Sequence, residues 1–343
     1  MSLPVAAIDP AAGIPPSLSA RFVNRRTVAS LVVAAIIVGV AIWRAPIDWG
    51  DAWNRIRHAN PLLYIAALLV YYASFAVRGV RWQVLLRNAG EDRPARPLTG
   101  IVITSFFVNC VVPAKMGDVY RAYLARAKLR VSASKALGTI IAERLLDLCV
   151  LMALLIASGA VVFHTKAPGI LIPYVVAGTL ICFAGVGVIL TMRAGRGQRI
   201  LRLLPEAIFH RYENFRIGTV RSLGRYPTLL LLTGAVWACE AGRLGFVVHA
   251  LGVNVLGPSQ ILLVALVAAL LTTVPFLPGG LGLVEAGMVG VLIAVGGLSR
   301  EGAVSIALLD RSISYGSVVV IGFVVFMFTH LHAPRAKTAP ARG

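Results

Sequence analysis

Five acids and three arginines stand inside stretches apolar enough to cross a membrane. Glu143, Arg144 and Asp147 share one of them, with Arg144 and Asp147 at i,i+3 and Glu143 and Asp147 at i,i+4, so the three crowd one helix face. Glu240 and Arg243 repeat the i,i+3 spacing, Asp310 and Arg311 stand side by side, and Glu285 follows a glycine-rich break. At the bilayer centre each such charge costs roughly 2.5–3.5 kcal/mol. Eight of them together exceed the ~5–15 kcal/mol net stability of a folded protein. They must therefore be paired, hydrated or turned toward a cavity. Arg144 and Arg311 are candidates for binding phosphate, which matches the guanidinium fork. Glu143, Asp147, Glu285 and Asp310 are candidates to hold those arginines, receive a cationic headgroup or exchange protons. The same acids could serve as general acid and base in a lipid-modifying reaction. The spacing of Glu240 and Arg243 favours a structural ion pair within one helix.

The elements that must position these charges look duplicated. Val112-Pro113-Ala114-Lys115-Met116-Gly117-Asp118 is followed by Glu143-Arg144, and Leu277-Pro278-Gly279-Gly280-Leu281-Gly282-Leu283-Val284-Glu285 is followed by Asp310-Arg311. Each is an apolar run broken by proline and glycine, with an acid close behind. Interrupted helices survive at bilayer depth where protein or water satisfies the freed backbone. Paired breaks of this kind point to a binding site between two halves of a transporter. Pro113, Gly117, Pro278, Gly279, Gly280 and Gly282 are the expected helix breaks and hinges. Asp118 and Glu285 sit where helices restart, so either could instead be a cap stabilised by the helix dipole. The glycine run lacks the Lys-Ser/Thr of a phosphate loop.

Composition sets the class: 58% of residues are hydrophobic, 14% are charged and the mean hydropathy is +0.82. The expected fold is an all-α polytopic membrane protein. Six full transmembrane helices are expected, near 27–43, 61–82, 137–163, 169–191, 228–250 and 303–330. Two shorter apolar pieces, near 99–112 and 259–276, are expected to open re-entrant helical hairpins. Lysine and arginine concentrate before the first span, in 78–98, 113–135 and 192–227, and after the last span, which predicts cytoplasmic termini. With that orientation the halves 61–163 and 228–330 form an inverted repeat. Residues 1–26 are expected to be a disordered cytoplasmic tail, 27–332 a single transmembrane domain with a cytoplasmic basic loop at 192–227, and 333–343 a cytoplasmic C-terminal tail.

The net charge of +19 follows span ends rather than a nucleic-acid recognition module, so no nucleic-acid partner is expected. Arg78 and Arg81 beside Trp82 are expected to snorkel at the membrane interface. The eight arginines of 192–227, interleaved with apolar residues, suggest an amphipathic helix on the cytoplasmic leaflet. Cys110, Cys149, Cys182 and Cys239 lack metal spacing and read as buried structural thiols. Neither a metal nor a cofactor is expected.

Four motifs, in order, give the chain a resemblance. Arg78-Gly-Val-Arg81-Trp82 with Leu85-Leu86-Arg87, then Phe107-Val-Asn109-Cys-Val-Val-Pro113-Ala-Lys-Met-Gly117-Asp118-Val-Tyr-Arg121, then Glu143-Arg144-Leu-Leu-Asp147, and Pro275-Phe-Leu-Pro278-Gly-Gly-Leu-Gly282-Leu-Val-Glu285 resemble the lysylphosphatidylglycerol synthase transmembrane-region family, also called flippase-like. The resemblance runs from about residue 60 to residue 330. It implies a bacterial-type inner-membrane protein that moves lipid between leaflets, and adds Asn109, Asp118 and Arg121 to the candidate substrate-binding residues. Bifunctional members carry a soluble aminoacyl-transfer domain after the membrane region. Little sequence follows the last apolar stretch here, so lysyl-lipid synthesis is not expected of this chain.

The reading that joins these points is a lipid translocase, not an enzyme. A phospholipid or a polyprenyl- or hopanoid-linked glycolipid would place its headgroup in a polar cavity while its tails stay in the bilayer. Its partners would be membrane lipids bearing phosphate, together with enzymes of lipid biosynthesis. A membrane-embedded lipid-modifying enzyme, or an accessory protein recruiting a glycosyltransferase through 192–227, is the competing expectation.

Overall fold

A computed structural model describes residues 47–112, 114–163, 171–195, 205–274 and 277–331. The described residues are helical and loop; none is in a strand. Six helical segments among them are long and apolar enough to span a bilayer: Pro61–Asn88, Ala133–Phe163, Val175–Arg193, Glu206–Ala250, Pro278–Gly296 and Arg300–Phe328. The protein is a multi-pass membrane protein. Five of these segments cover predicted spans. The predicted span at 27–43 and both tails lie outside the described residues, and the sixth observed segment, Pro278–Gly296, is the stretch that follows the second break.

In chain order the helices are α1 (Trp49–Arg57), α2 (Pro61–Asn88), α3 (Ala95–Val111), α4 (Met116–Leu129), α5 (Ala133–Phe163), α6 (Leu171–Arg193), α7 (Glu206–Ser222), α8 (Tyr226–Ala250), α9 (Pro258–Thr272), α10 (Leu283–Gly296), α11 (Arg300–Arg311) and α12 (Val318–Leu331). Local chemistry fixes several starts. Asn60 caps α2, its Oδ1 accepting from the N–H groups of Leu62 and Leu63 at 3.0 and 3.3 Å, with Pro61 in the first turn. Ser299 caps α11 through the Gly302 N–H.

Antiparallel α2 and α8 form the centre. The Asn60 N–H donates to the Ala250 carbonyl at 2.8 Å where α2 begins and α8 ends. At the other end the Asn88 side chain donates to the Ser222 carbonyl at 2.7 Å, just before α8 begins. Trp82, Phe75, Leu85, Leu86 and Leu244 are buried in the shared core. Around this pair, α3 packs on α4 and on α12, while α9 packs on α10 and on α5. Both predicted short apolar pieces are therefore helices, each followed by a break and a second packed helix. On α6 the large side chains Leu180, Ile181 and Phe183 are exposed, as expected of a lipid-facing helix. Most of the described part of the basic loop is α7, which packs along α5 and buries Gly218, Thr219 and Ser222. It is thus engaged with a span on one face.

The predicted span 303–330 is not one regular helix. Between α11 and α12, Ser312–Ser317 widens into a π-helical turn. Three tyrosines of α2 tie this turn down. Tyr64 and Ser312 hydroxyls lie 2.9 Å apart, Tyr71 Oη donates to the Ser314 carbonyl at 3.2 Å, and Tyr72 and Ser317 hydroxyls lie 2.9 Å apart. Of the three, the Tyr71 hydroxyl meets a backbone carbonyl directly, the kind of partner that irregular backbone inside a bilayer needs.

Candidate functional site

The charges converge where α2, α5, α8 and α11 meet. Arg78 and Arg81 project from α2, and Glu240 and Arg243 from α8, each pair three residues apart and so on one helix face. Arg78 donates to Glu240 across the two helices at 2.8 Å. The other Glu240 oxygen accepts from Arg243 at 3.1 Å, and Arg243 also contacts the Asp310 carboxylate on α11. Arg81 is fully buried. Its guanidinium reaches Asp147 at 2.5 and 3.0 Å, Glu143 at 2.7 Å and Thr233 Oγ1 at 2.9 Å. Glu143, 2% exposed, also accepts from the buried Arg121 at 2.8 Å, and the Arg121 guanidinium lies 3.9 Å from the Trp82 ring centre. Such a network must be complete, because a lone buried ion would carry its desolvation cost uncompensated.

Two further pairs link the helices to the breaks. Arg144 makes a two-point contact with Asp118 at 2.9 and 3.1 Å, and Arg311 donates to Glu285 at 2.7 Å. In each pair the arginine stands 26 residues after its acid. Arg311 additionally donates to the Gly279 carbonyl at 2.8 Å. The second Glu285 oxygen accepts from the Gly282 N–H at 2.7 Å, so this side chain both caps α10 and holds Arg311. Asp118, by contrast, is an ion-pair partner rather than a cap.

The two breaks differ in backbone. In the second, Gly279, Gly280 and Gly282 have φ of 55°, 70° and 81°, a region open to glycine. In the first, Ala114 and Lys115 adopt left-handed φ of 64° and 51°, which side chains disfavour. There Gly117 lets α4 close on α3: a Cβ at this position would overlap the Ser105 carbonyl and the Asn109 side chain. The Gly117 N–H donates to Asn109 Oδ1 at 2.8 Å. Pro113 lies outside the described residues.

Between these groups is a cavity of about 240 Å³. Its charged lining comes from both sides: Arg78, Lys115, Asp118, Arg144 and Asp147 from the first part of the chain, and Glu240, Arg243, Asp310 and Arg311 from the second. Asn109, Tyr71, Tyr315, Thr272, Thr273 and Ser314 add neutral polar groups, and Phe106, Leu151 and Trp237 add apolar surface. Phe106 lies beneath Arg78 and Arg144, with its ring centre 5.0 and 6.0 Å from their guanidinium carbons. The buried Nε–H groups of Arg78 and Arg243 find no acceptor among the described residues. Nor is any group of three or more His, Cys, Asp or Glu side chains there arranged to hold a metal.

Among the residues singled out from sequence, Arg144, Arg311, Asp147, Asp310, Asp118 and Asn109 line this one cavity. Glu143 and Arg121 stand behind Arg81 and Asp147, and Glu285 stands behind Arg311. Two expectations need correction. Arg78 and Arg81 do not snorkel: they are 8% and 0% exposed, because carboxylates from α5 and α8 meet them inside the bundle. Glu240 and Arg243 do not merely pair within their own helix, since each has a partner on another. Lys115 was missed. Its only sequence signal is its place within the first break.

Comparison with known proteins gives a consistent lineage. The family model for the lysylphosphatidylglycerol synthase TM region matches residues 27–322. A UPF0104 membrane protein of Methanocaldococcus jannaschii is 31% identical over 224 residues, covering 64% of this chain and 93% of that protein. The glycosyltransferase AglD of Haloferax volcanii is 24% identical over 349 residues, covering 90% of this chain and 55% of that protein, so this chain spans about half of its length. A UPF0104 membrane protein of Methanothermobacter thermautotrophicus is 23% identical over 319 residues, covering 85% of this chain and 93% of the relative. With the match extending over most of its length, the chain belongs to the lysylphosphatidylglycerol synthase transmembrane-region family.

Proposed function

We propose that this protein is a lipid translocase of the bacterial-type inner membrane, in which the charged cavity shelters a phosphate-bearing headgroup while the tails remain in the bilayer. The observation that carries this reading is the convergence of ion pairs from both parts of the chain on one cavity. A headgroup crossing hydrocarbon faces a penalty of several kcal/mol, and fixed charges in a wet chamber lower it. Arg144, whose side chain is 35% exposed, is the most accessible guanidinium there. It can exchange Asp118 for phosphate oxygens, with the Asp147 carboxylate 3.7 Å away. The tighter Arg311, 10% exposed, would receive the headgroup from the other side.

An inverted repeat with two re-entrant hairpins gives the alternating access such transport needs. Three correspondences support it. Arg144–Asp118 and Arg311–Glu285 share one sequence spacing, Arg81–Glu143 matches Arg243–Asp310, and α2 runs antiparallel to α8. The arginine-rich segments favour cytoplasmic termini. Membrane lipids, and the enzymes that make them, are the proposed partners; catalysis and a cofactor are not part of the reading.

A second reading has a specific basis in the name of the glycosyltransferase relative: this region could instead serve a lipid-linked glycosyl transfer. Two experiments separate the readings. Purified protein in vesicles with leaflet-specific fluorescent lipids should move lipid above the empty-vesicle rate, and an Arg144→Ala, Arg311→Ala double variant should fall at least about 10-fold, which corresponds to ~1.4 kcal/mol. Mass spectrometry of a deletion strain should find the cargo lipid intact. A lipid species that is missing altogether would favour the enzyme, and transport unaltered by the double variant would defeat the proposed site.

A further inference from the structure

The cavity and the groups directly behind it carry an uneven charge count. Five cationic and four acidic side chains line it, and Arg81, Arg121, Glu143 and Glu285 add two of each. Every one of the six arginines in this set meets at least one carboxylate. The remaining cation, Lys115, forms no ion pair and no side-chain hydrogen bond with any described residue. It nonetheless lines the cavity from a half-buried position, on a backbone that two consecutive non-glycine residues hold in the left-handed region. Strained backbone of this kind persists where its surroundings over-determine it, and such positions gather at ligand sites.

Resting on the translocase reading, we infer that Lys115 is the headgroup anchor and that the cavity selects lipids whose headgroup carries one net negative charge. A buried or half-buried network is at its most favourable when charges balance. One surplus ammonium calls for one anion, which a phosphodiester without an ammonium supplies. The unmet Nε–H donors of Arg78 and Arg243 offer further sites for its oxygens or for water between them. Phosphatidylethanolamine, with no net charge, leaves the surplus in place. A lysylated phosphatidylglycerol, whose two ammonium groups outweigh its phosphate, would add to it. The cargo is therefore not the lipid of the family name.

The test uses the full chain in phosphatidylcholine vesicles holding trace fluorescent phosphatidylglycerol, phosphatidylethanolamine or lysylphosphatidylglycerol, with dithionite reading the outer leaflet. Phosphatidylglycerol should move at least about 10-fold faster than the other two, a difference of ~1.4 kcal/mol. Lys115→Asn, chosen because asparagine tolerates left-handed backbone, should erase that preference, and Lys115→Arg should keep it. A thermal midpoint close to wild type checks that the variants fold. In parallel, native mass spectrometry of detergent-purified protein reads retention of the same three lipids. Transport without headgroup preference, or a preference that survives Lys115→Asn, overturns the anchor and leaves translocation standing. If no lipid moves, translocation falls, and retention decides the anchor: selective, Lys115-dependent capture of phosphatidylglycerol supports it, and indifferent capture ends it.

Discussion

Arg81 shows what a buried cation requires in this protein. Two carboxylates and a threonine hydroxyl surround a guanidinium with no solvent contact, and Arg121 shares one of those acids. Truncating one member leaves the others charged, buried and short of a partner, which typically costs 3–5 kcal/mol. Arg81→Ala should accordingly lower the thermal midpoint of purified protein sharply or abolish folding, whereas Arg87→Ala, whose pair with Asp92 is exposed, should change it little. Intramembrane charges such as Glu143, Arg144, Asp310 and Arg311 were legible in sequence because apolar stretches make them conspicuous. Arg81 was not, since an arginine near a span end has the ordinary option of snorkelling and its acids lie 62 and 66 residues away.

At the scale of elements, helix breaks were legible and helix widening was not. Proline and glycine announce interruptions, and α3 and α9 end where those residues begin. The π-helical turn at Ser312–Ser317 keeps a helical pattern throughout, so its departure depends on tyrosines of α2 that no local signal reveals. Close packing of α4 on α3 depends on the missing side chain at Gly117. Gly117→Val should force the pair apart and cost about 1–3 kcal/mol, seen as a lowered midpoint together with reduced lipid movement. Gly100→Val, where no atom stands within contact distance of a new Cβ, is the control and should leave both nearly unchanged.

For the whole molecule, the apolar pattern established a bundle of long helices but left open which segments cross. The stretch Pro278–Gly296 emerged as long enough only once its 3-10 turn and α10 were seen to run together. Antiparallel α2 and α8 make a direct prediction about sidedness. In a background with the native cysteines replaced by alanine, Asp92→Cys and Asn254→Cys should react with a membrane-impermeant maleimide from opposite faces of sealed vesicles, Asp92→Cys from the cytoplasmic one. Labelling of both from one face would contradict the proposed inverted arrangement. The bridge from Arg78 to Glu240 has a consequence for how such a chain could arise. In the proposed duplication these two residues occupy matching steps of α2 and α8 and meet near the local dyad. Two identical copies would confront arginine with arginine, or glutamate with glutamate, at that spot. Fusion into a single polypeptide frees the copies to diverge there, turning a repulsion that symmetry would impose on an ancestral homodimer into an attraction.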